Sequence, residues 1–578
     1  MGHEQIHSHR SLRHLAEKIA KEQLTVLRFD YHGTGDSPGT DEDPDRIATW
    51  QKNIQDAILW MRGELGCNRI TLIGLRLGAT LAALATTQQP VDELILWAPV
   101  VNGRQYRREL KALSLASGGS AVVRSVGSQD EIEAAGFIVT GQTLNDIAKL
   151  DLLSIRIQCS KALIVARDDM PLDIGLQRHL SGLGVNCDQV VGPGYADMLA
   201  VPHHTQVPTV TIDRIIRWLN DIRGAEGTAS PTLSGLNHPT RVSFRYAVQS
   251  SILDRNPKPT IPISEQVLQI SSDPSLFGIL SEPEQSNTSN NLLILLLNAG
   301  SAYRVGPNRL NVDLARTLST QGFRCLRMDL RGLGDSVTTN PIDENNSYPS
   351  TAFRDVDITI NHLSTMLDIT QVVLIGLCSG AYHSFQAAAH LSSTILVESV
   401  VINPLTFFWK EGMSLEMPSS KNLKDLHYYM QSSLHPKKWL KLLLGQTRIG
   451  LRGAVRMLLH RLRTPISTDK LSVDEHGRET LEHDLSNLEE ENIPRDLTRI
   501  VKYGRRLTFF FARSDPGYSI LRFAAKRSIN RLRRAGYIDM TFIEGADHTF
   551  SFREPRHQLI AAIANQLGTR FKPRNLLK

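Results

Sequence analysis

Residues 374–382 read LIGLCSGAY, and residues 72–80 read LIGLRLGAT. The later copy is preceded by the apolar VVLI and followed by AYHSFQAAAHL, a helical stretch. A strand that turns at once into a helix through glycine, nucleophile and glycine is a nucleophile elbow. The two glycines remove side chains where strand and helix approach closely, and the residue between them is held in a strained backbone with its side chain presented. Cys378 takes that apex between Gly376 and Gly380, while Arg76 takes it in the earlier copy.

The repetition extends outward from the elbow. LRFDYHGTGDS at 27–37 matches LRMDLRGLGDS at 326–336, and ELILWAPV at 93–100 answers ESVVINPL at 398–405. Three landmarks in one order at nearly constant gaps mark an internal duplication. Between them strand and helix alternate: VLRFDY as a strand, QKNIQDAILWMRGEL as a helix, RITLIGL as a strand, GATLAALATTQQ as a helix and ELILWAPV as a strand. Such alternation predicts a parallel sheet with helices on both faces, and strands that are apolar throughout fit a sheet covered on both sides. The fold class is therefore α/β, with two units at 1–223 and 263–573 and a Gly/Ser/Thr/Pro-rich linker at 224–262. VSFRYAV and SLFGIL read as leading strands of the second unit, which keeps that boundary soft.

Composition agrees. The 578 residues are 41% hydrophobic and 21% charged, as in a globular protein, and exceed one ordinary domain. A net charge of +6 over this length is no nucleic-acid footprint. The 5 cysteines are scattered without CxxC spacing, which predicts neither a disulfide framework nor a zinc site and points to a reducing, cytoplasmic setting. No metal or cofactor is expected, since GTGDS and GLGDS lack the lysine of a phosphate loop. The N-terminal stretch has no apolar core of a secretory signal, and the longest apolar run, LLILLL at 292–297, is far too short to span a bilayer.

With these motifs in view, the chain resembles the α/β-hydrolase superfamily, in particular the serine-aminopeptidase-like branch found beside exosortase and exopolysaccharide genes. RFDYHGTGDSPG and GLRLGA carry the resemblance in the first half, NAGSAYRVGP and GLCSGA in the second. The branch usually has Ser at the elbow, so Cys378 makes cysteine hydrolases of the dienelactone type a second comparison. The resemblance implies two tandem α/β-hydrolase-like domains and a triad ordered nucleophile, acid, base. RLTFFFARSDPGYS is a strand ending in Asp515 on a Pro-Gly turn, and DMTFIEGADHTFS is a strand and glycine turn leading to His548. His548 is the expected general base, oriented by Asp515, with Asp547 capping the next helix. The opposing readings are a buried structural cysteine and ordinary turn residues. Ser379 would supply one backbone N–H of an oxyanion hole, and the NAGS loop, through Ala299, Gly300 or Ser301, the other. Arg304 either binds an acidic substrate group or is a surface residue.

The first half has no nucleophile, because Arg76 is always protonated. Aligning Asp30 with Asp329 sets Gly2 opposite Ser301, so the strands that precede the oxyanion loop have no counterpart and one sheet edge is left open. RDDMPLD at 167–173 and the pair His203 and His204 are either remnants of an acid and base or plain surface turns. This half reads as non-catalytic.

About 409–500 should form a helical cap. Its middle, 437–464, has 8 Lys or Arg and no acid, and an acidic stretch follows at 474–492. It reads as a lid helix, or else as a contact for an anionic membrane or an acidic carrier. The expected function is hydrolysis of an ester or thioester through an acyl-Cys378 intermediate, on a small-molecule or carrier-bound acyl substrate. The alternatives are acyl transfer through the same intermediate and a non-catalytic scaffold. Oligomeric state is not legible.

Overall fold

The computed structural model describes residues 2–116, 131–224, 241–249, 260–284, 291–410, 413 and 492–571. The run 437–464 and most of the expected cap lie outside the described residues. The end of that range is described, and it is not cap. The helix Ile493–Lys502 lies under the main sheet, with Leu497 and Ile500 fully buried in its core. Among the described residues no helix is long and apolar enough to cross a membrane.

The first half holds a four-stranded parallel sheet in the order β1 (Thr71–Leu75), β2 (Val91–Trp97), β5 (Cys159–Arg167), β6 (Asn186–Gly192), with a small hairpin of β3 (Ile132–Ala134) and β4 (Phe137–Val139). Strand β1 stays at the edge. The helix His3–Lys21 precedes them. The strand expected at VLRFDY does not form: Val26, Leu27 and Phe29 lie outside any helix or strand, 36%, 39% and 41% exposed. A strand needs a neighbouring ladder, and among the described residues the first half has none beside this segment. The turn after it forms nonetheless from its own bonds. Asp30 Oδ2 accepts from Asp36 N at 3.0 Å and Ser37 Oγ donates to Asp30 O at 2.6 Å. In the second half Asp329 Oδ2 accepts from Asp335 N at 3.1 Å and Ser336 Oγ donates to Asp329 O at 2.7 Å.

The second half builds a nine-stranded sheet from β7 (Arg241–Gln249), β8 (Thr260–Ser272), β9 (Ser275–Pro283), β10 (Leu292–Leu296), β11 (Arg324–Asp329), β12 (Gln371–Leu377), β13 (Leu396–Ile402), β14 (Arg506–Ala512) and β15 (Ile538–Ile543). It therefore begins at Arg241, inside the stretch expected as linker. The order is β15-β14-β13-β12-β10-β11-β9-β8-β7, with β10 to β15 parallel and β7 to β9 antiparallel. Alternate residues of β10 serve two cores: Leu292, Ile294 and Leu296 meet Leu314 and Leu559 on one face, Leu293 and Leu295 meet Val356 and Phe385 on the other. An apolar strand without period-two alternation is what two covered faces require. β10 has β11 on one side and β12 on the other, so the strand order reverses there. Crevices beyond the carboxyl ends of the strands at such a reversal are where sites form in open α/β sheets.

The halves dock through the first half's turn. Arg309 donates from Nε to Gly35 O at 2.8 Å, from Nη1 to Gly39 O at 2.7 Å and from Nη2 to Ser37 O. Arg316 Nη2 donates to Asp36 O at 2.7 Å. Arg304, expected either to bind substrate or to lie on the surface, is instead buried: its guanidinium holds Asp36, Asp329 and Asp335, each at 2.8 Å.

Candidate active site

The carboxyl end of β12 carries Cys378 at φ 58° and ψ −116°, a conformation L-residues rarely adopt. Its N–H donates to Ile402 O at 3.1 Å, and the helix Ser379–His390 starts immediately after it. The flanking glycines are steric requirements. A Cβ at Gly376 would stand 2.0 Å from Gly380 O, and one at Gly380 would stand 2.5 Å from Asn298 O in the loop beyond β10.

Asp515 and His548 come from the ends of β14 and β15, adjacent parallel strands. His548 Nδ1 donates to Asp515 Oδ2 at 2.6 Å, and Asp515 Oδ1 accepts from Gly517 N at 2.8 Å. The ring's other nitrogen, Nε2, is buried and forms no close hydrogen bond, but the Cys378 sulfur lies within electrostatic reach of the ring. Burial works against the charged imidazole; the Asp515 bond and the Cys378 sulfur outweigh it and push His548 up to about 10. Asp547 does not cap the next helix. It accepts from Ser551 N at 2.7 Å and closes the loop ahead of Arg553–Phe571.

The oxyanion candidates diverge. Ser379 opens its helix, where a backbone N–H has no acceptor within the helix. Ala299 is buried beside it, whereas the Gly300 N–H donates to Ser379 Oγ at 2.8 Å and so faces the serine hydroxyl. Ser301 Oγ bonds Ser347 Oγ at 2.8 Å and Asn345 O at 2.9 Å, tying the oxyanion loop to the segment before Tyr348.

Two residues at the site escaped sequence reasoning. Asn403, at the end of β13, donates from Nδ2 to His548 O at 2.8 Å and accepts at Oδ1 from Ala512 N at 2.8 Å, bracing the His loop against the acid's strand. Its positive φ of 43° suits an asparagine after a strand, and the Asn-Pro dipeptide of ESVVINPL was the available signal. Tyr348 comes from a long loop without a motif, and its ring packs edge-on against Tyr382 at 5.4 Å and tilts against His383 at 5.8 Å, two residues of the helix that starts at the elbow.

In the first half the elbow survives as backbone. Arg76 has φ 54° and ψ −123°, and its N–H donates to Trp97 O at 2.9 Å. Its side chain is buried, with Nε donating to Glu4 Oε1 at 3.0 Å and Nη2 to Glu109 Oε2 at 2.5 Å, while Tyr106 Oη donates to Glu4 Oε2 at 2.8 Å. Ala98 stands where Asn403 stands, at φ 46°. Asp168 accepts from Gly194 N at 2.7 Å, Asp169 pairs with Arg167 at 2.7 Å, and His203 and His204 sit on the short turn Pro202–His204. Among the described residues no group of three or more His, Cys, Asp or Glu side chains could hold a metal ion.

Residues 294–562 match the family described as alpha/beta hydrolase family, and residues 4–138 match serine aminopeptidase, S33. No curated protein matches the chain. Solved structures similar to it include a dienelactone hydrolase from Anabaena variabilis, 11% identical over 57% of this chain and 99% of that one with a TM-score of 0.30. A structure reported with the carboxylesterases of the thaumarchaeon Nitrososphaera gargenis is 13% identical over 53% and 99%, TM-score 0.28. Est1E from Butyrivibrio proteoclasticus, with ferulic acid bound, is 12% identical over 51% and 95%, TM-score 0.30. Because both matched regions carry the elbow at the carboxyl end of a parallel strand, the protein is an α/β hydrolase with two hydrolase domains in tandem.

Proposed function

We propose that the second domain hydrolyses esters or thioesters through an acyl-Cys378 intermediate, and that the first domain is non-catalytic. The observation that carries this reading is the hydrogen bond between His548 Nδ1 and Asp515 Oδ2 at 2.6 Å, with Cys378 within electrostatic reach of a ring that is held toward its charged form. An imidazolium beside a cysteine favours the thiolate, the nucleophilic form. The thiolate attacks the substrate carbonyl carbon. The tetrahedral intermediate collapses as His548 Nε2 gives its proton to the leaving alcohol or thiol, leaving a thioester on Cys378. The neutral imidazole then takes a proton from water, the hydroxide attacks the thioester, and the acid leaves as the thiolate–imidazolium pair is restored. In the first domain Arg76 cannot attack, and its guanidinium is committed to Glu4 and Glu109.

The test is turnover of p-nitrophenyl esters and acyl thioesters of varied chain length by the full chain and by Cys378→Ala, with iodoacetamide labelling in parallel. Turnover should fall by a factor of about 10³ or more, and labelling at 378 should vanish. Turnover that survives Cys378→Ala would overturn the reading. Adding an alcohol acceptor and analysing products separates hydrolysis from acyl transfer.

A further inference from the structure

We propose that Asp36, in the non-catalytic first half, is a positioning residue for the reaction of the second: it holds Arg304, and through Arg304 the loop 298–304 against the elbow. This rests on the acyl-cysteine reading above, with that loop supplying an N–H to the oxyanion. Two observations carry it. First, the loop hangs on one carboxylate. Asn298 Nδ2 donates to Asp329 Oδ1 and to Ala302 O, both at 3.0 Å, and Arg304 donates to Asp329 from its main-chain N at 2.6 Å and from Nη1 at 2.8 Å. Between these anchors Ala299 is buried, and the Gly300 N–H reaches Ser379 Oγ, next to the apex, at 2.8 Å. Second, the other end of the Arg304 fork is held by the first half. Its Nη2 pairs with Asp36 Oδ2 at 2.8 Å.

The pairing belongs to an exchange between equivalent residues. In the matched stretches LRFDYHGTGDS and LRMDLRGLGDS, Arg28 corresponds to Arg327 and Asp36 to Asp335. Arg28 Nη2 lies 2.6 Å from Asp335 Oδ1 and Arg327 Nη1 lies 3.4 Å from Asp36 Oδ1, so each copy's arginine meets the other copy's aspartate, as across an isologous interface. Arg304 departs from the symmetry by taking both aspartates, Asp335 at 2.8 Å and Asp36. Its counterpart in the first half, Gln5, carries no charge and bonds Asp30 at 2.6 Å. Both Asp36 carboxylate oxygens are buried and take no hydrogen bond, so the two arginines of the second half balance its charge. Without Asp36, Arg304 Nη2 becomes a buried donor that must turn to find an acceptor. The loop follows, because the same side chain and its own main chain are tied to Asp329. Two more first-half contacts land on this loop: His9 stacks on Tyr303 with ring centroids 3.9 Å apart, and Ile6 packs against Tyr303 and Val305.

Asp36→Ala in the full chain tests this. With p-nitrophenyl acetate the kcat should fall about tenfold or more, the scale on which a small displacement of a positioned group acts, with KM little changed. Alkylation of Cys378 by iodoacetamide, a displacement at carbon that forms no oxyanion, should keep its rate. Wild type should favour an oxygen ester over the matching thionoester, whose sulfur accepts hydrogen bonds poorly, and the variant should lose much of that preference; a merely structural role would lower stability and leave the preference intact. Should Asp36→Ala fail to fold, Asp36→Asn, which keeps the shape and removes the charge, should change kcat and preference in the same sense. A kcat within about twofold of wild type in a folded variant would overturn the assignment, as would alkylation that drops in step with turnover. If Cys378→Ala abolishes turnover while the Asp36 variants keep it, this assignment alone falls. If Cys378→Ala retains turnover, the acyl-cysteine reading falls and takes the assignment with it.

Discussion

Arg76 and Cys378 hold one backbone conformation, φ 54° with ψ −123° and φ 58° with ψ −116°, although one side chain is a buried cation and the other a thiol. The elbow is a property of the strand–helix junction and its glycines, not of the residue at its tip. Its surroundings differ. At Gly380 an added Cβ meets Asn298 O at 2.5 Å, whereas at Gly78 it meets nothing within 4 Å.

Those two glycines give the first prediction. Gly380→Ala should destabilise by about 1–3 kcal/mol, since backbone must move to admit the methyl, and should displace the apex enough to suppress Cys378 alkylation. Gly78→Ala should be neutral or stabilising by up to about 1 kcal/mol, as for a helical glycine with open space beside it. Chemical denaturation of both variants checks this, and equal losses would contradict it.

Removing the acid tests the electrostatics. Asp515→Asn deletes the main charge that supports the imidazolium, so burial should dominate and His548 should fall from about 10 to below its ordinary value. The ring of His548 should then lose its proton at lower pH in an NMR titration, and turnover at pH 7 should fall about tenfold or more. An unchanged titration of the ring would sink this account.

Stability carries the same signature. A histidine whose folded value, about 10, exceeds the unfolded value of 6.5 contributes stability that is complete below pH 6.5 and lost as pH rises through about 10. The stability gap between wild type and Asp515→Asn should therefore be widest near pH 6 and close toward pH 10 to 11. A gap that is flat across this window would show that the pair is not linked to protonation.

Arg304 sits among three carboxylates, with Asp329 fully buried. Arg304→Ala should cost about 3–5 kcal/mol, because it leaves buried charges without their counter-ion. Adding Asp36→Asn should recover part of that loss, a coupling that a double-mutant cycle measures. Strict additivity would mean that Asp36 and Arg304 do not act together.

Asn403→Ala should cost about 1–3 kcal/mol by leaving Ala512 N without its acceptor. It should also lower kcat more than KM changes, since the His548 loop loses the bond to its carbonyl. First-domain Ala98, with the same positive φ, indicates that the backbone tolerates alanine, so the loss is assigned to the amide.

What the sequence disclosed follows from where the determinants are local. The elbow, the acid turn and the histidine loop are each a strand followed by a short turn, so composition and spacing mark them, and β12, β14 and β15 deliver Cys378, Asp515 and His548 accordingly. What stayed hidden depends on partners distant in sequence. VLRFDY has the composition of a strand, but a strand forms only with a neighbouring ladder; its counterpart in the second half, Arg324–Asp329, pairs with Leu292–Leu296 and Ser275–Pro283, strands for which the alignment of the two copies already showed no match. Arg304 looked like any arginine because its three acids come from both halves. Tyr348 lies in a loop, and nothing near it in sequence names the elbow helix as its neighbour.

Arg309 grips the first domain by three main-chain carbonyls, Gly35, Ser37 and Gly39, and by no side chain. A grip of that kind reads the course of the main chain and not the side chains, so it depends on the turn keeping its shape, which Gly35 and Gly39 secure because neither has room for a Cβ. A chain trimmed to the second half would turn Arg304, Arg309 and Arg316, cations seated in the interior, out to water and strip them of the oxygens that hold them.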